Sequence, residues 1–275
     1  MTAKIFVSMI FAFTLTTLGL TLFVFDLSNT VTIILSILSP LIGLLVTSIL
    51  YVIFFYLAGI LIKEDAHNMR YHDIVNGMLK LVFAFLHVKL IVTGKENIPK
   101  KGENFVFVCN HQENYDIMAI KPVLKDHPIN FIAKQDVFKW ILLGRWIKKL
   151  GNVPIKRDAD REAVESIIKG IRLYKEGIPM AIFPEGKRTF GNEMTDFKAG
   201  AFKLAMKPKA NILVGTIYDF SKVFKGWPFK RPKLYLHFHP LITYDMYKDM
   251  NSIELSNHVK TIIQNKLDEY KKVAN

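Results

Sequence analysis

The segment Asn110-His111-Gln112-Glu113-Asn114-Tyr115-Asp116 follows the apolar run Phe105–Cys109. It sets a histidine and an aspartate five residues apart at the apparent exit of a buried strand. Neutral imidazole is the usual general base near neutral pH. A carboxylate that takes the second ring N–H fixes the tautomer and steadies the imidazolium that forms. On one continuous helix, five residues are about 500° of rotation, so the two side chains would not share a face. They meet if His111 lies in a strand-to-helix turn and Asp116 in the first helical turn, where an acid also suits the helix dipole. Taken alone, the heptapeptide is more simply a strand exit with a capping Asn and a satisfied histidine. The rest of the chain has to decide between these readings.

Three further segments bear on that choice. Gly151-Asn152-Val153-Pro154-Ile155-Lys156-Arg157 is a buried-looking strand ending in two cations. Phe183-Pro184-Glu185-Gly186-Lys187-Arg188-Thr189 is a strand exit carrying an acid, a glycine and two cations. Phe197-Lys198-Ala199-Gly200-Ala201-Phe202 opens a helix. Glycine lets backbone approach a ligand closely, and the planar arginine fork matches phosphate oxygens. Glu185, beside cations at a strand end, is placed to accept hydrogen bonds from ligand hydroxyls. Each segment alone is an ordinary charged turn. Together with a His/Asp pair at another strand end, they point to one shared anion-binding site.

The elements that must position these residues follow from short apolar runs alternating with amphipathic ones. Strands are expected at Lys89–Thr93, Phe105–Cys109, Asn130–Ala133, Val153–Ile155, Pro179–Phe183, Ile212–Ile217 and Leu234–His239. Helices are expected at Tyr71–Leu86, Tyr115–Leu124, Val137–Leu150, Asp158–Lys175, Lys198–Met206 and Ile253–Val273. The alternation predicts an α/β domain, a mixed and largely parallel sheet flanked by helices. Ligands of such sheets gather beyond the carboxyl ends of the strands, where His111 and the segment after Phe183 would lie.

Ahead of this domain the chain has a different solvent. Residues 5 to 62 contain no Lys or Arg, and their one acid is Asp26. Two apolar runs, Ile5–Phe25 and Val31–Ile62, flank a short polar link. About 20 apolar residues cross a bilayer core as a helix. The second run is too long for one span, and Pro40 is expected to start its regular part, leaving Leu41–Ile62. Residues 1–63 thus read as a membrane-anchoring helical hairpin, spanning or half-inserted, and 64–275 as the α/β domain. Lys63, Arg70 and Lys80 follow the second run while the link has no basic residue. The positive-inside rule then places the large domain on the cytoplasmic face of the cell membrane.

The net charge of +13 resides almost wholly after residue 62. No nucleic-acid module is readable, so lipid head groups are the nearest anions. Val137–Leu150 and Lys222–Lys233, which interleave aromatic residues with lysine and arginine, suit the headgroup zone or equally a basic face over a core stripe. The single cysteine, Cys109, excludes an internal disulfide and fits a reducing compartment. No H-E-x-x-H or cysteine cluster indicates a metal, and no G-x-S-x-G elbow indicates a serine lipase.

In order and spacing, these motifs resemble those of the bacterial 1-acyl-sn-glycerol-3-phosphate (lysophosphatidate) acyltransferases. N-H-x-x-x-x-D matches Asn110, His111 and Asp116. G-x-x-x-I-x-R matches Gly151, Ile155 and Arg157. F-P-E-G-x-R-S/T matches Phe183 to Gly186 with Arg188 and Thr189, and Phe197–Phe202 is similar to F-K-x-G-x-F. The resemblance runs from about Lys89 to Phe220 and includes Lys134. One departure is Val214-Gly215, where the family usually has Val-Pro.

The resemblance implies transfer of an acyl group from a thioester to the sn-2 hydroxyl of lysophosphatidate, giving phosphatidate. The donor would be acyl-CoA or acyl-carrier protein, with no other cofactor. His111 would act as base and Asp116 would orient it. Backbone N–H groups opening the Asn114–Leu124 helix would face the oxyanion. Asn110, Lys156, Arg157, Glu185, Gly186, Lys187, Arg188 and Thr189 would bind substrate. Three rivals remain: Cys109 as a covalent nucleophile, hydrolysis with water as acceptor, and a non-catalytic module binding anionic lipid. Another lysophospholipid acceptor also stays open.

Overall fold

A computed structural model describes residues 2–24, 30–156, 160–225 and 229–274. The chain divides into two compact units, Met1–Lys63 and Glu64–Asn275. The first unit consists of helices α1 (Thr2–Val24) and α2 (Thr30–Leu61). They approach closely where the Phe13 ring lies 2.9 Å from the position a Cβ would take on Gly43. Pro40 lies inside α2 instead of starting it. It removes one intrahelical donor, which a long helix tolerates. Pro40–Leu61 has a mean hydropathy of 2.4, long and apolar enough to cross a membrane by length and composition. Most of the link, residues 26–29, lies outside the described residues.

The second unit holds a seven-stranded sheet in the order β1-β7-β6-β2-β5-β3-β4. The strands are β1 Lys89–Thr93, β2 Val106–Cys109, β3 Asn130–Lys134, β4 Val153–Ile155, β5 Met180–Ile182, β6 Ile212–Tyr218 and β7 Lys233–Phe238. Every pairing is parallel except β6 with β7. The sheet is thus mixed and largely parallel. The helices are α3 Met69–Phe85, α4 Asp116–Val123, α5 Gly144–Lys149, α6 Asp160–Lys175, α7 Lys203–Met206, α8 Tyr244–Tyr247 and α9 Ser252–Ala274.

Strand β2 is buried on both faces, and its side chains alternate between two core layers. Val106 and Val108 pack with residues of α7 and α9. Phe107 and Cys109 pack with Ala119 and Ile120 of α4. The parallel arrangement brings the carboxyl ends of β2, β5, β3, β4 and β6 to one end of the sheet, and all the chemical segments leave from there.

Two expected helices differ from the observed backbone. Val137–Leu150 is no single helix: a 3-10 turn, Gln135–Lys139, stops at Trp140, whose ψ of 129° is extended, and α5 begins at Gly144. The break sends the two tryptophans to different solvents. Trp146 is buried at 1% exposure, whereas Trp140 and Ile141 are 39% and 82% exposed. Lys198–Met206 likewise opens as a 3-10 turn, Ala199–Phe202, before α7. In Lys222–Lys233, Phe229 is 94% exposed, while Trp227 lies outside the described residues.

The Val214-Gly215 departure has a steric reason. A Cβ on Gly215 would lie 2.5 Å from the Phe107 ring, so glycine at this position of β6 makes room for a core aromatic on β2. Gly215→Ala is expected to destabilise the protein by about 1–3 kcal/mol through overpacking. Adding Phe107→Leu should recover part of that loss in chemical denaturation, and no recovery would refute the clash.

A polar clip joins α3 to α4. Lys121 Nζ donates to the carbonyl of Ile129 at 2.7 Å and lies 2.9 Å from His72 Nδ1. His72 Nε2 lies 3.0 Å from the carbonyl of Ala66. A carbonyl only accepts, so Nε2 carries the proton and Nδ1 accepts from Lys121. Burial lowers the Lys121 ammonium to about 7. Burial, reinforced by Lys121, lowers His72 to about 2. Both folded values lie below the ordinary 10.5 and 6.5, so the unfolded chain takes up these protons first. Stability must fall as pH drops, from 10.5 toward about 7 for Lys121 and from 6.5 toward about 2 for His72. His72→Gln, which keeps an acceptor for Lys121, should flatten the acid limb of unfolding free energy against pH. An unchanged limb would exclude His72 as its source.

Candidate active site

Strand β2 ends at Cys109, and the next residue ties the exit down. Asn110 Nδ2 donates to the carbonyl of Ile217 at 3.0 Å, and its Oδ1 accepts the Ile217 N–H at 2.8 Å. A side-chain amide thereby mimics a backbone pair and prolongs the contact between β2 and β6. Asn110 is buried, and both ends of its amide are engaged. This corrects its expected place among substrate-contacting residues: it positions the turn that follows.

That turn brings His111 and Asp116 together. His111 Nδ1 lies 2.8 Å from Asp116 Oδ2. The same oxygen accepts the backbone N–H groups of Gln112 at 2.7 Å and Glu113 at 2.9 Å. Two backbone donors already point at Oδ2, so the third proton belongs to Nδ1, not to the carboxyl. The tautomer is thereby set, leaving a lone pair on Nε2. Burial raises the Asp116 carboxyl above its usual range, and His111, Glu113 and Gln112 pull against that rise. The His111 ring stacks on Phe183, with centroids 4.3 Å apart and planes 14° from parallel.

Helix α4 begins at Asp116, one residue after the expected start at Tyr115. The N–H groups of Gln112 and Glu113 bind Asp116, so they are not available to an oxyanion.

The exit of β5 locks the backbone of the base. Glu185 Oε1 accepts the His111 N–H at 2.8 Å, and Oε2 accepts the N–H and hydroxyl of Thr195 at 2.8 and 3.0 Å. Glu185 is buried, and burial raises its carboxyl while Thr195 and His111 oppose the shift. With those donors in place it is a brace between two turns, and it also lines the cleft described below. Thr189 is also a brace. Its N–H donates to the His111 carbonyl at 3.1 Å, and its hydroxyl proton is shared between the carbonyls of His111 at 3.2 Å and Gly191 at 3.1 Å. Phe190 N–H donates to the Gln112 carbonyl at 3.1 Å.

Sequence reasoning missed Gln112 and Asn192. Gln112 Oε1 accepts the Phe220 N–H at 2.8 Å, and its Nε2 donates to Ile217 O and Asn192 Oδ1. Asn192 then holds Asp219 at the exit of β6. The available signal was chemical: Gln112 lies beside the base, and a buried amide at a strand exit needs partners.

The cations separate into two groups. An open cleft of about 840 Å3 is lined by Lys134, Glu185, Gly186, Lys187, Thr195 and Lys198, among others. Gly186 has φ +69°, and a Cβ there would meet Lys198 Cε at 3.1 Å, so glycine both permits the turn and leaves room for the lysine. Among the described residues, neither Lys187 nor Lys198 has an ion-pair partner, whereas Lys134 pairs with Asp136. Lys198 was absent from the expected ligands, although it lies in a motif. Lys156, expected to bind the anion, pairs with Glu162 of α6 at 2.8 Å on an exposed surface and does not line the cleft. Arg188 lies over the Phe190 ring at 4.8 Å. Arg157 lies outside the described residues.

A second, narrow apolar cavity of about 70 Å3 is lined by Asn114, Ile117 and Met118, by Phe131 and Ala133 of β3, and by Trp146, among others. Glu185, in the wall of the cleft, accepts the His111 N–H, and Ile117, in the wall of the cavity, follows Asp116 in the chain. Cys109 is fully buried, and burial, with Asp116 and Glu185 adding to it, keeps its thiol well above the ordinary range.

Comparison with known proteins places this geometry in a family. A family model described as Acyltransferase matches residues 89–218. The 1-acyl-sn-glycerol-3-phosphate acyltransferase of Borreliella burgdorferi is 30% identical over 199 residues, covering 70% of this chain and 77% of that protein. The enzyme of that name from Bacillus subtilis is 34% identical over 124 residues, covering 44% of this chain and 59% of that protein. A chloroplastic relative from Arabidopsis thaliana is 28% identical over 58% of this chain, and the match spans 44% of its length. Among solved structures, the 1-acyl-sn-glycerophosphate (LPA) acyltransferase PlsC from Thermotoga maritima superposes with a TM-score of 0.66 at 26% identity. That match covers 81% of this chain and 89% of the other. The chain belongs to the 1-acyl-sn-glycerol-3-phosphate acyltransferase family.

Glu185→Gln puts an amide NH2 against either His111 N–H or Thr195 N–H, leaving one buried donor unmet. A loss of about 1–3 kcal/mol in unfolding free energy is expected, with acyl transfer falling alongside it. An unchanged melting curve would remove Glu185 from its bracing role.

Proposed function

We propose, from that family membership, that the protein transfers a fatty acyl group from an acyl thioester to the sn-2 hydroxyl of lysophosphatidate, giving phosphatidate. The observation that carries the reading is the convergence of three donors on Asp116 Oδ2, which holds a His111 proton on Nδ1 and directs base chemistry to Nε2, with a lysine-bearing cleft and an apolar cavity lined by residues next to the pair.

The chemistry follows from those groups. Nε2 takes the proton of the acceptor hydroxyl as its oxygen attacks the thioester carbonyl. Asp116, already holding Nδ1–H, stabilises the imidazolium. When the tetrahedral intermediate collapses, the C–S bond breaks, and the imidazolium returns its proton to the departing thiolate. The acceptor phosphate lies in the cleft against Lys187, Lys198 and Lys134, and the acyl chain enters the apolar cavity. Arg188, and Arg157 on the far side of the motif pattern, remain proposed phosphate contacts. No step calls on a metal or a further cofactor. The donor is an acyl thioester, acyl-CoA or acyl-carrier protein, and other lysophospholipids are the alternative acceptors.

Pro40–Leu61 suits a membrane anchor, and Lys63, Arg70 and Lys80 after it favour a cytoplasmic catalytic domain at the cell membrane. Anionic phospholipids then surround the basic surface.

Purified protein should acylate lysophosphatidate from labelled acyl-CoA or acyl-carrier protein. His111→Ala should reduce the rate by about 10²–10⁴-fold, and Asp116→Asn should cost about as much, because an amide no longer selects the Nδ1–H tautomer. Cys109→Ala should keep activity. The reverse pattern, with Cys109 essential and His111 dispensable, would replace direct attack by a covalent route. Lipid binding without acyl transfer would favour a non-catalytic module, and release of free fatty acid without acceptor would favour hydrolysis.

A further inference from the structure

The cleft has an acid in its wall that the acyl-transfer chemistry does not use. Asp196 lines it together with Lys187 and Lys198, and its side chain is fully exposed. A free carboxylate at this place opposes a bound phosphate and competes with it for the same lysines. The backbone leaves the acid little room to retreat. Thr195, the residue before it, is fixed by two bonds to Glu185 Oε2, and the N–H of Lys198, two residues on, donates to the Pro184 carbonyl at 2.9 Å. The negative charge has to be met where it stands.

Helix α9 meets it. Lys260 Nζ lies 2.7 Å from Asp196 Oδ1. Lys271 Nζ lies 2.7 Å from Oε1 of Glu193, the other acid of the segment between Gly186 and Lys198. Lys260 and Lys271 are about three helical turns apart, so they leave the same side of α9. The helix that carries them is firmly seated. Leu255, Val259, Ile263 and Leu267, spaced one turn apart, are fully buried, and Met194 and Phe197 of the cleft segment pack against that same core. Both acids of the segment are thus taken up by α9. Lys260 holds the Asp196 carboxyl below the usual carboxylate range, and Lys187 acts in the same direction, so the acid feels the cations of the cleft as well.

We propose that Lys260 is a positioning residue for the acceptor: by neutralising Asp196 it keeps the cleft cationic and raises its affinity for the acceptor phosphate. The proposal rests on the acyl-transfer reading above, with the acceptor phosphate in this cleft. Lys260 does not itself line the cleft; it acts through Asp196. Two fixed lysines face the ligand, and the acid that would otherwise pair with them is held by a third lysine from a different element.

The two halves of the pair predict opposite effects, and steady-state rates at low salt separate them, with lysophosphatidate as acceptor and whichever thioester, acyl-CoA or acyl-carrier protein, the wild-type protein uses. Lys260→Met leaves Asp196 uncompensated. It should raise KM for lysophosphatidate roughly two- to fivefold, the scale of one exposed charge, with kcat close to wild type. The inhibition constant of glycerol 3-phosphate, a head group without the chain, should rise by the same factor. Asp196→Asn removes the acid and should lower KM. The double variant should return KM to near the wild-type value, and Lys260→Arg should preserve it. Added salt should erase these differences, because the screening length falls from about 30 Å at 0.01 M to about 3 Å at 1 M. A pair that only clips the segment in place is broken by either single substitution. Both would then shift KM in the same direction, and that result overturns the proposal. An unchanged KM in Lys260→Met overturns it too, as does a rise confined to the KM of the acyl donor. Absence of transfer from every donor in the wild-type protein would refute the underlying acyl-transfer reading instead.

Discussion

Three hydrogen bonds to a single oxygen, Asp116 Oδ2, organise this site. Backbone N–H groups cannot reverse their polarity. Once Gln112 and Glu113 point at that oxygen, the imidazole has to donate to it as well. The proton's place on Nδ1 is therefore a consequence of chain geometry, independent of any substrate. The same bonds form the turn between β2 and α4, so the acid that orients the base also ends the strand and starts the helix. Burial works against ionisation of this carboxyl and prevails, although the converging donors oppose it. Such a group is costly to leave unpaired, so the turn and the tautomer stand or fall together.

The turn is held from two neighbouring strand exits. Asn110 and Gln112 bind backbone groups at and beyond the end of β6, and Glu185 and Thr189, from beyond β5, bind the His111 peptide on both of its polar sides. A parallel sheet makes this possible by directing the carboxyl ends of adjacent strands to one edge. Several motif residues that look like ligands from their chemistry are consequently braces. Their polar atoms are engaged within the protein, while Lys187 and Lys198 of the cleft have no ion-pair partner among the described residues.

The two spaces near the base differ as the two halves of a phospholipid precursor do. One is open and carries Lys134, Lys187 and Lys198, and the other is narrow and apolar. Each is tied to the base by a neighbour: Glu185 of the cleft accepts the His111 N–H, and Ile117 of the cavity follows Asp116.

Much of this was legible in the sequence, for identifiable reasons. Two-sided burial of parallel strands produces continuous apolar runs, and each expected strand lies within one residue of its observed ends. The five-residue spacing of His111 and Asp116, impossible on one helix face, required a strand-to-helix turn, and that is where they lie. Residues 5–62 stood apart from the rest of the chain by lacking lysine and arginine. The break at Trp140 was hidden, because an apolar and basic stripe has the same period whether or not one residue turns extended. The partners of Asn110, Glu185 and Thr189 were hidden as well. A side chain's chemistry is written in its type, but whether that chemistry faces a ligand or a neighbouring strand depends on residues about 70 to 110 positions away. The sequence alone determined which groups exist and which strand ends carry them. Only the tertiary structure decided which remain free, because hydrogen bonds saturate and a buried donor bound to one acceptor is lost to every other.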